Sequence, residues 1–191
     1  MKPLLFRYTR RRLLAWLGST LALGSVVQNG KAAGWEEGFE LVIQFTLDRP
    51  TSGRIAKPYT AVWVENTKGD ALRTLALWIQ TGGRGNSYIS SLKQWYQAER
   101  YRKADFGGNL IETASTPTRP AGQYTVVWNG RNDSNQLVSQ GEYMIVLESS
   151  REHGPYGLVF KRLEFGNTPF RIQLGDSGDI KDVSLTYRKR P

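Results

Sequence analysis

Phe39-Glu40-Leu41-Val42-Ile43-Gln44-Phe45-Thr46-Leu47-Asp48 places a large apolar residue at every odd position and Glu, Val, Gln, Thr or Asp at every even one. A period of two puts Phe39, Leu41, Ile43, Phe45 and Leu47 on one face of an extended strand, and that face needs a second layer to cover it. The stretch predicts a β-strand in a layered β-fold. Pro50-Thr51-Ser52-Gly53 ends the run, and Tyr59 to Glu65, rich in aromatic and β-branched residues, reads as a second strand. Asn66-Thr67-Lys68-Gly69-Asp70 has the composition of a turn, so Leu72 to Ile79 returns as the other arm of a hairpin at the centre of the sheet.

Beyond Thr81-Gly82-Gly83-Arg84-Gly85, read as a flexible loop, the period changes. Ile89, Leu92, Trp95, Tyr96 and Glu99 follow helical spacing, with Asn86 or Ser87 available to cap the first turn. Trp95 is expected to pack on the sheet that holds Trp63 and Trp78. Residues 103–121, with Gly107, Gly108, Pro117 and Pro120, read as a loop. Strands resume at Gln123–Trp128, Gly141–Ser149, Leu158–Phe165, Phe170–Leu174 and Val183–Tyr187. Short strands joined by turns, with one helix among them, predict a mainly β fold: an immunoglobulin-like antiparallel β-sandwich with one inserted α-helix.

The first 33 residues belong to a different class. Lys2, Arg7, Arg10, Arg11 and Arg12 precede an apolar run, Leu13–Val27, that Gly18, Ser19, Thr20, Gly24 and Ser25 dilute. It is too short and weak for a stable span of about 20 apolar residues, so it reads as a cleaved signal and not as a lasting membrane anchor. Thr9-Arg10-Arg11-Arg12-Leu13-Leu14 resembles the twin-arginine export signal, and the small residues around Ala32 and Ala33 suit cleavage. A signal over 1–33 and one β-sandwich domain over 34–191 is the expected organisation, with a periplasmic destination.

That division changes what the charge means. The chain carries 26 Lys and Arg against 17 Asp and Glu; removing Lys2, Arg7, Arg10, Arg11, Arg12 and Lys31 leaves 20 against 17, or +3. The basic excess is largely an export feature, and it does not argue for a nucleic-acid partner. There is no cysteine, which excludes disulfides, a thiolate metal site, a Cys nucleophile and a lipidated Cys at the signal junction.

Two stretches hold chemistry-bearing residues. Trp128 to Tyr143 is dense in turn formers: Asn129-Gly130 allows positive φ, and Asn132 to Asn135 favours a second turn. One firm carboxylate among those oxygens is too few for a dedicated calcium site, so no metal is expected. The single histidine, His153, lies in Arg151-Glu152-His153-Gly154. A Glu–His pair in a pocket can exchange protons, yet no nucleophile or metal set accompanies it. Arg151, Glu152 and His153 are a candidate cluster, with a strand-end turn as the simpler account.

The stretch 128–143 resembles the hairpin of the immunoglobulin-like domain in flagellar hook-capping proteins. Lys57–Glu65, Leu72–Trp78, Leu92–Tyr96, Thr118–Tyr124 and Arg151–Gly154 together resemble the predicted periplasmic proteins of domain-of-unknown-function family 2271. The resemblance spans nearly all of residues 39–165. It implies a β-sandwich without an assigned activity and, because members tend to be encoded beside membrane redox proteins and flavin transferases, a periplasmic or membrane redox protein as partner. Many members carry Asp-x-x-Ser-Gly-Ala-Thr, similar to the motif at which a transferase attaches FMN to threonine. Here the corresponding residues are Glu112-Thr113-Ala114-Ser115-Thr116-Pro117-Thr118. Thr118 and Ser115 are retained, Glu112 replaces the aspartate, and Thr116-Pro117 replaces the small pair. A branched side chain and a fixed φ hinder close approach of a transferase, so the expectation is a non-enzymatic accessory or binding protein without a cofactor. The alternative is an electron carrier with FMN on Thr118.

Overall fold

The computed structural model describes residues 33–49, 56–80 and 83–191, and its elements, in chain order, are β1 Phe39–Leu47, β2 Tyr59–Glu65, β3 Ala71–Trp78, a 3₁₀ segment Gly83–Ser91, α1 Lys93–Phe106, α2 Leu110–Thr113, β4 Ser115–Thr116, β5 Gly122–Trp128, β6 Gly141–Ser150, β7 Tyr156–Phe165, β8 Phe170–Gln173 and β9 Ile180–Lys189. The expected export signal, with Arg10 and Arg11, and the break at 50–53 lie outside the described residues.

Alternation in β1 becomes the wall of a sandwich. Leu41, Ile43, Phe45 and Leu47 are buried in its core, and β1 pairs antiparallel with β5 on one side and β9 on the other, giving a sheet ordered β5-β1-β9-β8. The facing sheet is ordered β4-β3-β2-β6-β7, antiparallel except where two-residue β4 runs parallel to β3. Between them lies a core of Leu41, Ile43, Val62, Ile145, Leu147 and Leu185. It closes at one end with Trp35, Trp128, Phe165 and Tyr187, whose rings contact one another at centroid distances of 4.6–5.6 Å. The fold is mainly β and sandwich-like, as the sequence predicts.

A second apolar cluster lies on the outer face of the five-stranded sheet. Tyr59, Ala61, Trp63, Leu77 and Ile79 point away from the sandwich and are covered by Ile89, Leu92 and Trp95. Trp95 therefore packs over Trp63 as expected, but Trp78 does not share that layer: neighbouring residues on β3 face opposite ways, and Trp78 enters the sandwich core beside Phe45.

Four local readings differ in the structure. The glycines at 83 and 85 belong to the 3₁₀ segment, and the α-helix begins only at Lys93. Its N-cap position is Leu92, beyond both Asn86 and Ser87, and its first N–H groups are taken by Glu148 from β6, which accepts from Gln94 at 3.0 Å and Trp95 at 2.9 Å. Residues 103–121 are not all loop, because α1 continues to Phe106 and α2 and β4 follow. The hairpin in 128–143 is confined to the connection itself, where Arg131 bridges Leu137, while β5 and β6 lie in opposite sheets.

Candidate functional site

A cleft of about 780 Å³ opens between the helical layer and the β4 edge, lined by Ser87, Ser90, Tyr96, Asn109, Glu112 and Ser115, with Ile89 and Ile111 on its floor. One wall comes from the 3₁₀ segment and α1, the other from α2 and β4. The second wall is short and depends on side-chain capping. Asn109 is extended and its Oδ1 accepts from the Ile111 N–H at 3.1 Å, while its Nδ2 donates to Glu112 Oε1 at 2.6 Å. This reciprocal arrangement resembles a capping box and fixes Glu112 at the rim. Beneath it, buried Glu99 accepts two bonds from Arg102, at 2.5 and 2.9 Å, and one from the Leu110 N–H at 3.0 Å. Hydroxyls, an amide and one carboxylate can hold a polar group.

The cleft brings Glu112 and Ser115 together but leaves Thr118 outside its lining. Thr118 is half-buried in a segment pinned at both ends. On its N-terminal side Ser115 Oγ donates to Ile111 O at 2.6 Å, and Thr116 O accepts from Ile79 N–H at 2.9 Å as β4 joins the sheet. On its C-terminal side Arg119 stacks over the Trp78 ring at 5.7 Å, and Pro120 O accepts from Tyr124 OH at 2.7 Å. This segment therefore spends its backbone and flanking side chains on the domain.

The sequence profile of a predicted periplasmic protein family, DUF2271, matches residues 40–182, which takes in β1 from its second residue, the cleft and the whole of the helical layer. The chain belongs to that family. No curated protein and no solved structure gives a match. Within this DUF2271 domain no described helix is long and apolar enough to cross a membrane.

In the DUF2271 fold the Arg151–His153 cluster divides into separate tasks. Arg151 is buried and donates from Nε to Asp179 Oδ2 at 2.9 Å, from Nη2 to Asp48 O at 3.2 Å, and from Nη1 to Ala56 O. It ties the end of β6 to the approach to β9. Glu152 accepts from Tyr88 OH at 2.7 Å, joining the same turn to the 3₁₀ segment. His153 sits at φ 55 with its side chain 89% exposed, 3.7 Å from Glu152. An imidazole that exposed is not shielded from water. Cleft residues Ser90 and Asn109 carry no functional signal in the sequence. The one available hint was Asn109 three residues before Glu112, a helix-start pattern inside a stretch that otherwise reads as loop.

Proposed function

We propose that this periplasmic family member is a non-enzymatic accessory protein of an extracytoplasmic redox system, that it works without attached flavin, and that the cleft between the helical layer and β4 receives its redox partner. The observation that carries this reading is the contrast at one place in the fold: the segment bearing Thr118 is anchored at Ser115, Thr116, Arg119 and Pro120, while the polar cleft beside it stands open. The kinship with proteins encoded beside membrane redox proteins supplies the kind of partner. Export through the twin-arginine route, read from Thr9 to Leu14, is part of the same proposal.

Intact mass and crosslinking test it together. The wild-type chain, matured in its native periplasm with a flavin transferase present, is expected to keep its unmodified mass. A repaired variant carrying Glu112→Asp, Thr116→Gly and Pro117→Ala is the comparison. A photo-crosslinking residue at Ser90 is expected to capture a membrane protein identified by its own flavin or haem, and one at Lys161 on β7 is not. FMN on Thr118 of the wild-type chain would replace the accessory reading with the electron-carrier one. Crosslinks to proteins with no redox group would remove the redox association.

A further inference from the structure

The four-stranded sheet presents its second face to solvent, and the strand register draws a row across it. Gln44 of β1 stands opposite Thr125 of β5 and Ser184 of β9, and Ser184 stands opposite Gln173 of β8. Thr125, Gln44, Ser184 and Gln173 therefore form one line perpendicular to the strands, roughly 14 Å long at about 4.8 Å per strand. The line lies in a hollow of about 440 Å³, with Arg171 and Asp182 on its β8–β9 side.

Polar residues on an open sheet face are ordinary. Three observations set this one apart. First, the face is hollowed rather than flat, and Ser184 is only 5% exposed although none of the described helices packs on it. Second, among the described residues the side chains of Gln44, Thr125, Gln173, Arg171 and Asp182 make no hydrogen bond or ion pair with the rest of the domain, so the donors and acceptors that line the hollow are open to a ligand. Third, Asp182 is brought to the hollow by a distortion. The pairing of β1 with β9 shifts between Gln44 and Thr46, and Asp182 adopts φ 52, held by its N–H donating to Asp176 Oδ1 at 3.1 Å. A bulge that turns a side chain with positive φ onto a concave face is a device found beside binding sites.

The chemistry of the row selects the ligand. An anion would be met by several cations and a cation by several carboxylates; here there is one of each, and they do not pair with each other. Glutamine amides and Ser or Thr hydroxyls each donate and accept, as the hydroxyls of a polyol do. We infer that the hollow is a binding site for a neutral oligosaccharide, laid across the strands with its hydroxyls on Thr125, Gln44, Ser184 and Gln173 and with Arg171 and Asp182 holding adjacent hydroxyls at one end. The site is on the other sheet from the cleft, and the inference does not rest on the redox reading.

Side-chain amide spectra of the ¹⁵N-labelled mature chain test it. The probes are cellotetraose, maltotetraose and tetra-N-acetylchitotetraose, with sodium phosphate as the anionic comparison. At least one sugar is expected to give saturable shifts of the Gln44 and Gln173 amides, with affinity falling at least tenfold in Gln44→Ala and in Asp182→Asn, an exchange that asparagine's tolerance of positive φ allows. Both variants lie on the surface, and unchanged backbone spectra outside the hollow establish that they are folded. Saturable shifts by phosphate alone, no saturable shift with any of the three sugars, or variants that bind as tightly as wild type would each overturn the proposal.

Discussion

Glu148 is the residue at which burial and charge are most directly opposed. It is fully buried, and it accepts from Gln94 N–H, Trp95 N–H and Tyr156 OH, the last at 2.7 Å. Burial lifts its carboxyl above the ordinary 4.5, and those hydrogen bonds pull the other way without restoring it. The folded chain thus holds the proton more tightly than the unfolded one, so this contribution to stability is present below 4.5 and is lost as pH rises through the raised value. Glu148→Gln removes the titration. We expect the two melting temperatures to run parallel below 4.5 and the variant to gain relative to wild type as pH rises from there through the raised value; parallel curves at every pH would show that the carboxyl does not titrate abnormally. Arg151 and Asp179 pose a different case, a buried pair that also satisfies backbone carbonyls. Arg151→Met or Asp179→Asn each leaves a buried group without its partner, at roughly 3–5 kcal/mol. His153→Asn, which suits the same positive φ, is expected to leave urea unfolding unchanged. A loss from His153→Asn equal to that from Arg151→Met would show that the exposed imidazole also holds the fold.

Elements whose residues pattern themselves were legible in the sequence. β1 follows from its own period of two, and Trp95 and Leu92 follow from helical spacing, because the information for each lies within a few residues. What the sequence hid was supplied from far along the chain. The cap of α1 comes from Glu148 on β6, and α2 is secured to α1 through Glu99 and Arg102, so neither could be inferred from neighbouring residues. The cleft was hidden for the same reason, since its walls meet only when β4 pairs with β3. The connection 129–140 illustrates the legible kind with a tertiary consequence. Gly130 takes φ 74, as Asn-Gly suggests, and a Cβ there would overlap the ring of Trp35. Gly130→Ala therefore combines backbone strain with displacement of a ring that closes the sandwich against Trp128 and Phe165. We expect a loss above the ~1 kcal/mol typical of strain alone, and Trp35→Ala to recover part of it in the double variant. Additive losses would show that the clash is relieved by backbone movement.

At the scale of the whole molecule the two sheets have opposite needs, and this explains why helices cover one and not the other. The outer face of the five-stranded sheet is apolar through Tyr59, Ala61, Trp63, Leu77 and Ile79, whereas the outer face of the four-stranded sheet carries Gln44, Thr125 and Gln173. Trp95 is the main contribution of the helical layer: it is 1% exposed and its Nε1 donates to Thr74 Oγ1 at 3.1 Å. Its cluster is separated from the sandwich core by the thickness of one sheet, because Val62 and Val64 of β2 face one way while Ala61 and Trp63 face the other. Trp95→Ala is expected to cost about 3–5 kcal/mol, and to do so locally. Amide exchange of α1 should become fast while β1 and β9 stay protected. Ile43→Asp, which places a carboxylate without a partner in the sandwich core, is expected to remove protection everywhere. If Trp95→Ala instead exposes β1 and α1 in a single step, the three layers unfold as one unit. The helical wall of the cleft would then lack an opening of its own, and a partner would have to bind it as a rigid surface.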